Sequence, residues 1–422
     1  MNIKISSQIK KDRSLVYILF SDKFSNEFFK KNNIDFGDHD FDKNPLLLLH
    51  KNQEFKNLYF YSVGKSVDFK LGETKKIISK MIKKANEERI EKLQLMFCDS
   101  FDNYFERLLF IISETIELAD YSFEKYKAKK TTKYLKEVKI IVKSENQKYQ
   151  DILSETQSLT NATNFARTLV NEPANVIFPE TLAAESIQAG KKYGFETTIY
   201  NLAEIKELKM DAFLSVARGS ANEPKLIVMK YKGNPQNPDE IIGLVGKGLT
   251  YDSGGYSIKT TTGMSLMKTD MGGAASVIGA ISTIAKNKIK YNITAVVAAC
   301  ENMISGEAYK PGDVIGSMAG KFIEIGNTDT EGRLTLIDAL YYTITKEKVT
   351  KIIDVATLTG AVVVSLGRIR TGALSNNDDF FADLIKASEL SGEKFWRLPH
   401  DEEYVTQVSH IFFVELIDAY FL

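Results

Sequence analysis

Short apolar runs alternate with helix-period segments along this chain in two successive series, and that alternation restricts the fold more than any other property. In the first series, residues 15–20, 58–63, 93–98 and 138–142 are short, apolar and rich in branched or aromatic side chains, as buried strands are. Between them, residues 73–89 and 103–118 carry apolar positions at helical spacing. The second series starts at Pro179, with helices expected over 179–192, 272–285 and 332–345. Its strands are expected over 197–200, 212–216, 226–231, 241–245, 293–299, 322–325 and 352–356. This pattern predicts an α/β fold, and 422 residues exceed one ordinary domain. We expect a smaller N-terminal α/β domain over 1–150 and a connecting helix over 151–175. A larger α/β domain, a mixed central sheet flanked by helices, takes residues 176–422. Ser144 and Gln147 have the spacing of a capping box at the start of the connecting segment, and Pro173 ends it.

Bulk properties exclude several classes. Basic and acidic side chains balance at 55 each, so nothing global favours a polyanionic partner, and nucleic acid is not expected. The lysine tract from Lys125 to Lys136 reads as a solvated loop. Cys98 and Cys300 are the only cysteines, which fits buried thiols in a reducing compartment and a cytoplasmic protein. No segment approaches the roughly 20 apolar residues needed to cross a bilayer.

Three glycine- and acid-rich clusters carry the chemistry. They are Gly246-Lys-Gly-Leu-Thr-Tyr-Asp-Ser-Gly-Gly255, then Lys259 with Met267-Lys-Thr-Asp-Met-Gly-Gly273, and Asn327-Thr-Asp-Thr-Glu-Gly-Arg333. Each sits at an expected strand end or helix start, where open α/β sheets bind ligands. Asp329 and Glu331 are two apart, so an extended backbone would send both carboxylates to one side. Converging carboxylates repel unless cations share the site, and two divalent ions about 3.5–4 Å apart resolve that conflict. Oxygen donors favour Mn²⁺ or Zn²⁺, with Mg²⁺ a further candidate. His39, His50, His400 and His410 all lie outside the clusters, so neither a His-based zinc site nor a serine triad is supported. A phosphate loop fails too, because Lys247 lacks the following Ser or Thr.

These clusters resemble the signature segments of the leucyl aminopeptidase family, with Asn327-Thr-Asp-Thr-Glu-Gly-Arg-Leu334 the most diagnostic. Arg167-Thr-Leu-Val-Asn-Glu-Pro-Ala-Asn175, Lys310-Pro-Gly-Asp-Val314, Asp354-Val-Ala-Thr-Leu-Thr-Gly-Ala361 and Leu374-Ser-Asn-Asn-Asp378 match as well. The resemblance implies a hydrolase that removes N-terminal residues from peptides, leucine among them. It implies that Lys247, Asp252, Asp270 and Glu331 ligate one metal, while Asp252, Asp329 and Glu331 hold a second. It further implies that Arg333 holds a bicarbonate general base and Lys259 stabilises the tetrahedral oxyanion. Met267, Thr357 and Gly360, with the backbone at Leu358, would line the pocket for the first side chain. Homo-hexamers are the family's assembly.

The ending departs from the family. Residues 408–422 form an apolar stretch unlike the family's sequence, as a frameshift or truncation would produce. The competing reading is therefore a non-catalytic remnant or binding protein.

Overall fold

The computed structural model describes residues 1–10, 13–22, 34, 39–50, 57–66, 71–98, 101, 105–404 and 416–417. The chain divides into two compact units, Met1–Asn164 and Phe165–Leu422.

The first unit is built on a six-stranded sheet of β1 (Asn2–Ser6), β2 (Ser14–Leu19), β3 (Leu46–His50), β4 (Asn57–Ser62), β5 (Lys92–Phe97) and β6 (Glu137–Ile141). The strand order is β1-β6-β5-β2-β4-β3, parallel except where β3 pairs with β4. Helices α1 (Leu71–Glu87) and α2 (Phe105–Asp120) join the same core, through residues such as Ile78, Ile82, Leu108 and Ile112. β2 is buried along its whole length, which is why its run does not alternate. β1 and β3 are edge strands that the apolar-run reading missed.

The lysine tract is an exposed loop, pinned by ion pairs such as Lys133 to Asp120 and Lys136 to Glu91. Helix α3 spans Gln147–Asn171. Its start corrects the capping-box reading: Asn146, not Ser144, accepts the Tyr149 N–H at 2.9 Å.

The second unit holds a five-stranded mixed sheet of order β13-β9-β10-β8-β7. Its strands are β7 (Glu196–Tyr200), β8 (Lys225–Lys232), β9 (Ile241–Asp252), β10 (Asn292–Asn302) and β13 (Lys351–Val355). The short pairs β11 (Val314–Ile315) with β12 (Ile323–Glu324), and β14 (Thr371–Ala373) with β15 (Phe395–Arg397), lie outside it. β13, β9 and β10 run parallel, so their carboxyl ends share one edge. Helices cover both faces, and the short α7 (Thr261–Met264) lies in the segment after β9. α4 (Pro179–Tyr193) and α8 (Gly272–Lys286) pack on the face of Ala295, Val297 and Ala299. α5 (Leu202–Glu207), α6 (Asp211–Ala217) and α9 (Glu331–Thr345) pack on the face of Val296, Ala298 and Cys300. β10 is buried throughout, as a central strand between two helix layers must be. Cys98 and Cys300 are both buried.

One expected strand is a helix. Residues 212–216 lie in α6, whose buried Ala212, Phe213, Val216 and Ala217 fall on a single helical face. Its N-cap residue, Met210, has no capping side chain. Asp338 of α9 accepts the Phe213 N–H at 3.0 Å instead, and the Met318 N–H at 2.8 Å. A remote carboxylate stabilises this helix start, and local sequence could not reveal it.

The apolar ending expected to differ from the family lies outside the described residues, except for β16 (Leu416–Ile417), which pairs with β12. No helix among the described residues is long and apolar enough to cross a membrane.

Candidate metal centre

Three loops at the shared carboxyl edge bring the acidic residues together. Asp252 ends β9. Asp270 closes the 3-10 turn Met267–Thr269, before α8. Asp329 lies in the 3-10 turn Thr328–Thr330, and Glu331 opens α9. The extended geometry expected for Asp329 and Glu331 is therefore replaced by a tight turn running into a helix. Asn327 caps that turn by accepting the Asp329 N–H at 2.7 Å.

Lys247 lies on β9 at the same parity as Val245 and Leu249, so it faces α9. Its Nζ is 2.8 Å from Asp270 Oδ2 and 2.9 Å from Glu331 Oε1, and it donates to the Thr357 carbonyl at 3.1 Å. Lys259 Nζ lies 2.8 Å from Asp252 Oδ2 and 2.6 Å from Asp329 Oδ1. Two ammonium groups thus face four carboxylates, and Lys247, Asp252, Asp270 and Glu331 are all buried.

The electrostatics follow from that crowding. Burial pushes the carboxyls of Asp270, Asp329 and Glu331 upward, and the lysines only partly offset it. Burial opposes the charge on each lysine, yet the paired carboxylates outweigh it and both ammonium groups are raised.

Two close approaches depend on glycine. A Cβ at Gly332 would lie 2.5 Å from Lys247 Cε, so glycine lets α9 pass the lysine without displacing its head. Gly254 has φ +85° and its N–H donates to Asp252 Oδ1 at 2.9 Å, closing the turn after β9.

The arrangement fits divalent cations. Asp252, Asp329 and Glu331 each offer an oxygen, and these oxygens all lie within 4.8 Å of one another. Glu331 Oε2 is buried without a hydrogen-bond partner, as an oxygen reserved for a cation would be. Hard carboxylate donors and the acidic surplus point to the same ligand class.

The remaining expected site residues border this centre to different degrees. Thr357, in the loop after β13, donates its hydroxyl to Asp270 Oδ1 at 2.8 Å. Leu358 is 43% exposed and Gly360 is also exposed. Met267 and Arg333 are half-buried, on the 3-10 turn before Asp270 and in the first turn of α9. The cluster reading missed Asn302 and Tyr309 and gave Thr328 no role; the three form a hydrogen-bonded layer behind the carboxylates. Asn302 was within reach of the same logic, since it too ends a strand at this edge.

A mixed α/β unit carrying a buried carboxylate and lysine centre at the carboxyl edge of its sheet defines a metallohydrolase-type site. The family model described as the cytosol aminopeptidase family, catalytic domain, matches residues 164–417. A probable cytosol aminopeptidase of Clostridium perfringens is 48% identical over 385 residues, spanning 86% of this chain and 78% of that protein. Another from Treponema denticola is 46% identical over 353 residues, 82% of this chain and 72% of that one. The solved structure of a tomato leucine aminopeptidase mutant superposes with a TM-score of 0.88 at 27% identity, covering 99% of this chain and 85% of that one. The chain belongs to the cytosol aminopeptidase family and is a metal-dependent aminopeptidase.

Proposed function

We propose that this chain hydrolyses the N-terminal peptide bond of peptides that begin with leucine or a similar residue, at a centre of two divalent cations, Mn²⁺ or Zn²⁺ by preference and Mg²⁺ as a further candidate. The observation that carries this reading is the convergence of four carboxylates and two lysines at one sheet edge. Lys247, its proton displaced by the cation's charge, would hold one cation with Asp252, Asp270 and Glu331, and Asp252, Asp329 and Glu331 would hold the other. The cations supply Lewis acidity, polarising the scissile carbonyl and acidifying the attacking water.

The chain's own residues do the rest. With two dications bound the centre would no longer be acidic, so the substrate would meet it through the lone pair of its neutral α-amine, which favours cleavage from the N-terminus. Lys259 keeps its charge and is aimed into the carboxylate cluster, so it can stabilise a developing oxyanion there. Arg333, two residues beyond Glu331, is placed in our reading to hold a bicarbonate ion as general base. Thr357 ties the substrate wall to Asp270, and the exposed Leu358 offers an apolar surface for the first side chain, alongside Met267 and Gly360. We extend the proposal to a cytoplasmic homo-hexamer acting on peptides.

Release of a chromophore from a leucine amide tests the reading. Turnover should appear with Mn²⁺ or Zn²⁺ and stop on chelation. Folded, metal-loaded protein without turnover would overturn it.

A further inference from the structure

We infer that Asn302 is a positioning residue of the metal centre, holding Asp252 in its ligating orientation and tying it to the turn that carries Asp329. The inference rests on the centre proposed above and adds a residue outside its ligand set.

Asn302 is the last residue of β10 and is fully buried. Its Nδ2 donates to Asp252 Oδ1 and to the Thr328 carbonyl, both at 2.9 Å. Both partners are acceptors, so only the NH₂ side of the amide can face them, and the orientation is forced. Gly254 N–H also donates to Asp252 Oδ1, at 2.9 Å. That oxygen is therefore held by two donors, and Oδ2 is the one turned to Lys259 and the centre.

The backbone is arranged to bring this pair together. The β9–β10 pairing shifts between Cys300 and Glu301, so Asn302 lies opposite Asp252 rather than Tyr251. A bulge beside a site typically re-aims a side chain in this way. The Thr328 carbonyl takes a second donor, the Tyr309 hydroxyl, at 2.9 Å. The Thr328 hydroxyl donates to the Gly254 carbonyl at 2.6 Å and accepts the Ser257 N–H at 2.8 Å. Three loops, those of Asp252, Asn302 and Asp329, are thus bolted together behind the carboxylates.

One detail separates positioning from plain stability. Asn302 Oδ1 is buried and has no hydrogen-bond partner. A buried amide oxygen without a partner costs stability, so stabilising the strand end does not by itself account for this residue. Here one end is left unsatisfied while the other orients a ligand, as in the outer shells of metal sites.

The test measures Mn²⁺ and Co²⁺ affinity by calorimetry, and the visible bands of the Co²⁺ form, for wild type, Asn302→Ala and Tyr309→Phe. Urea unfolding of each metal-free protein runs beside them. Asn302→Ala should weaken binding about 10- to 100-fold and shift the cobalt bands. Tyr309→Phe should weaken it less. The double variant should lose less than the product of the two, because both donate to one carbonyl. Wild-type affinity and bands in folded Asn302→Ala would overturn the role. If that variant does not fold, unchanged affinity in Tyr309→Phe overturns it instead. A wild-type chain that takes up no cation defeats the proposed function as well, whereas normal uptake by wild type and variants alike defeats only the role of Asn302.

Discussion

Lys247 Nζ lies 2.9 Å from Glu331 Oε1, and both side chains are 2% exposed. This pair joins the middle of a central strand to the first turn of the helix that follows the Asn327 turn. Removing one partner leaves buried charge uncompensated, so Lys247→Met should destabilise the metal-free protein by about 3–5 kcal/mol. Urea unfolding in chelator at neutral pH reads that loss.

Glu331, like Asp252, is shared by both proposed cation positions. Glu331→Ala should abolish loading at both, which elemental analysis of the purified protein detects. Two equivalents of metal retained by the variant would contradict the bridging role.

The glycines separate site effects from fold effects. At Gly332 a methyl group meets the end of the Lys247 side chain and, at 3.0 Å, Leu358 Cδ1. Gly332→Ala should therefore displace the lysine head and weaken metal binding, with a stability loss of about 1 kcal/mol. At Gly254, φ +85° and a 2.5 Å approach to the Ser257 carbonyl oxygen oppose any side chain. Gly254→Ala should lower stability by about 1–3 kcal/mol and metal affinity together. Parallel unfolding and calorimetric titrations distinguish the two patterns.

Asp338 gives a pH signature away from the metal centre. Burial raises its carboxyl to about 6 from 3.8, against the lowering effect of the Phe213 and Met318 N–H groups. The folded form binds the proton more tightly than the unfolded form, so this increment of stability is fully present below pH 3.8 and is lost as pH rises through 6. Relative to Asp338→Asn, wild type should lose about 2–3 kcal/mol between pH 4 and 7. The variant should also be less stable at low pH, because an amide offers one acceptor where two N–H groups require partners. Urea midpoints across that range measure both effects.

The sequence by itself determined a great deal. Branched and aromatic runs marked β2, β4, β5 and β6, and the central strands β8, β9 and β10, because buried strands cannot hide their composition, and similar runs marked the edge strands β7 and β13. Glycine beside acid at strand ends marked the clusters that hold Asp252, Asp270, Asp329 and Glu331, since close backbone approach and cation-binding oxygens need those residue types wherever the chain goes, and the family resemblance added Lys247 to the expected ligands. Tertiary structure alone decided three things. It made residues 212–216 helical, because the carboxylate that stabilises that helix start belongs to Asp338, far along the chain. It replaced the extended route from Asp329 to Glu331 with a turn and a helix start. It also placed Asn302 opposite Asp252 through a shift in strand register. Composition and spacing report which groups a chain carries; which of them meet depends on hydrogen bonds between distant segments, and these exist only once the sheet and its helices are packed.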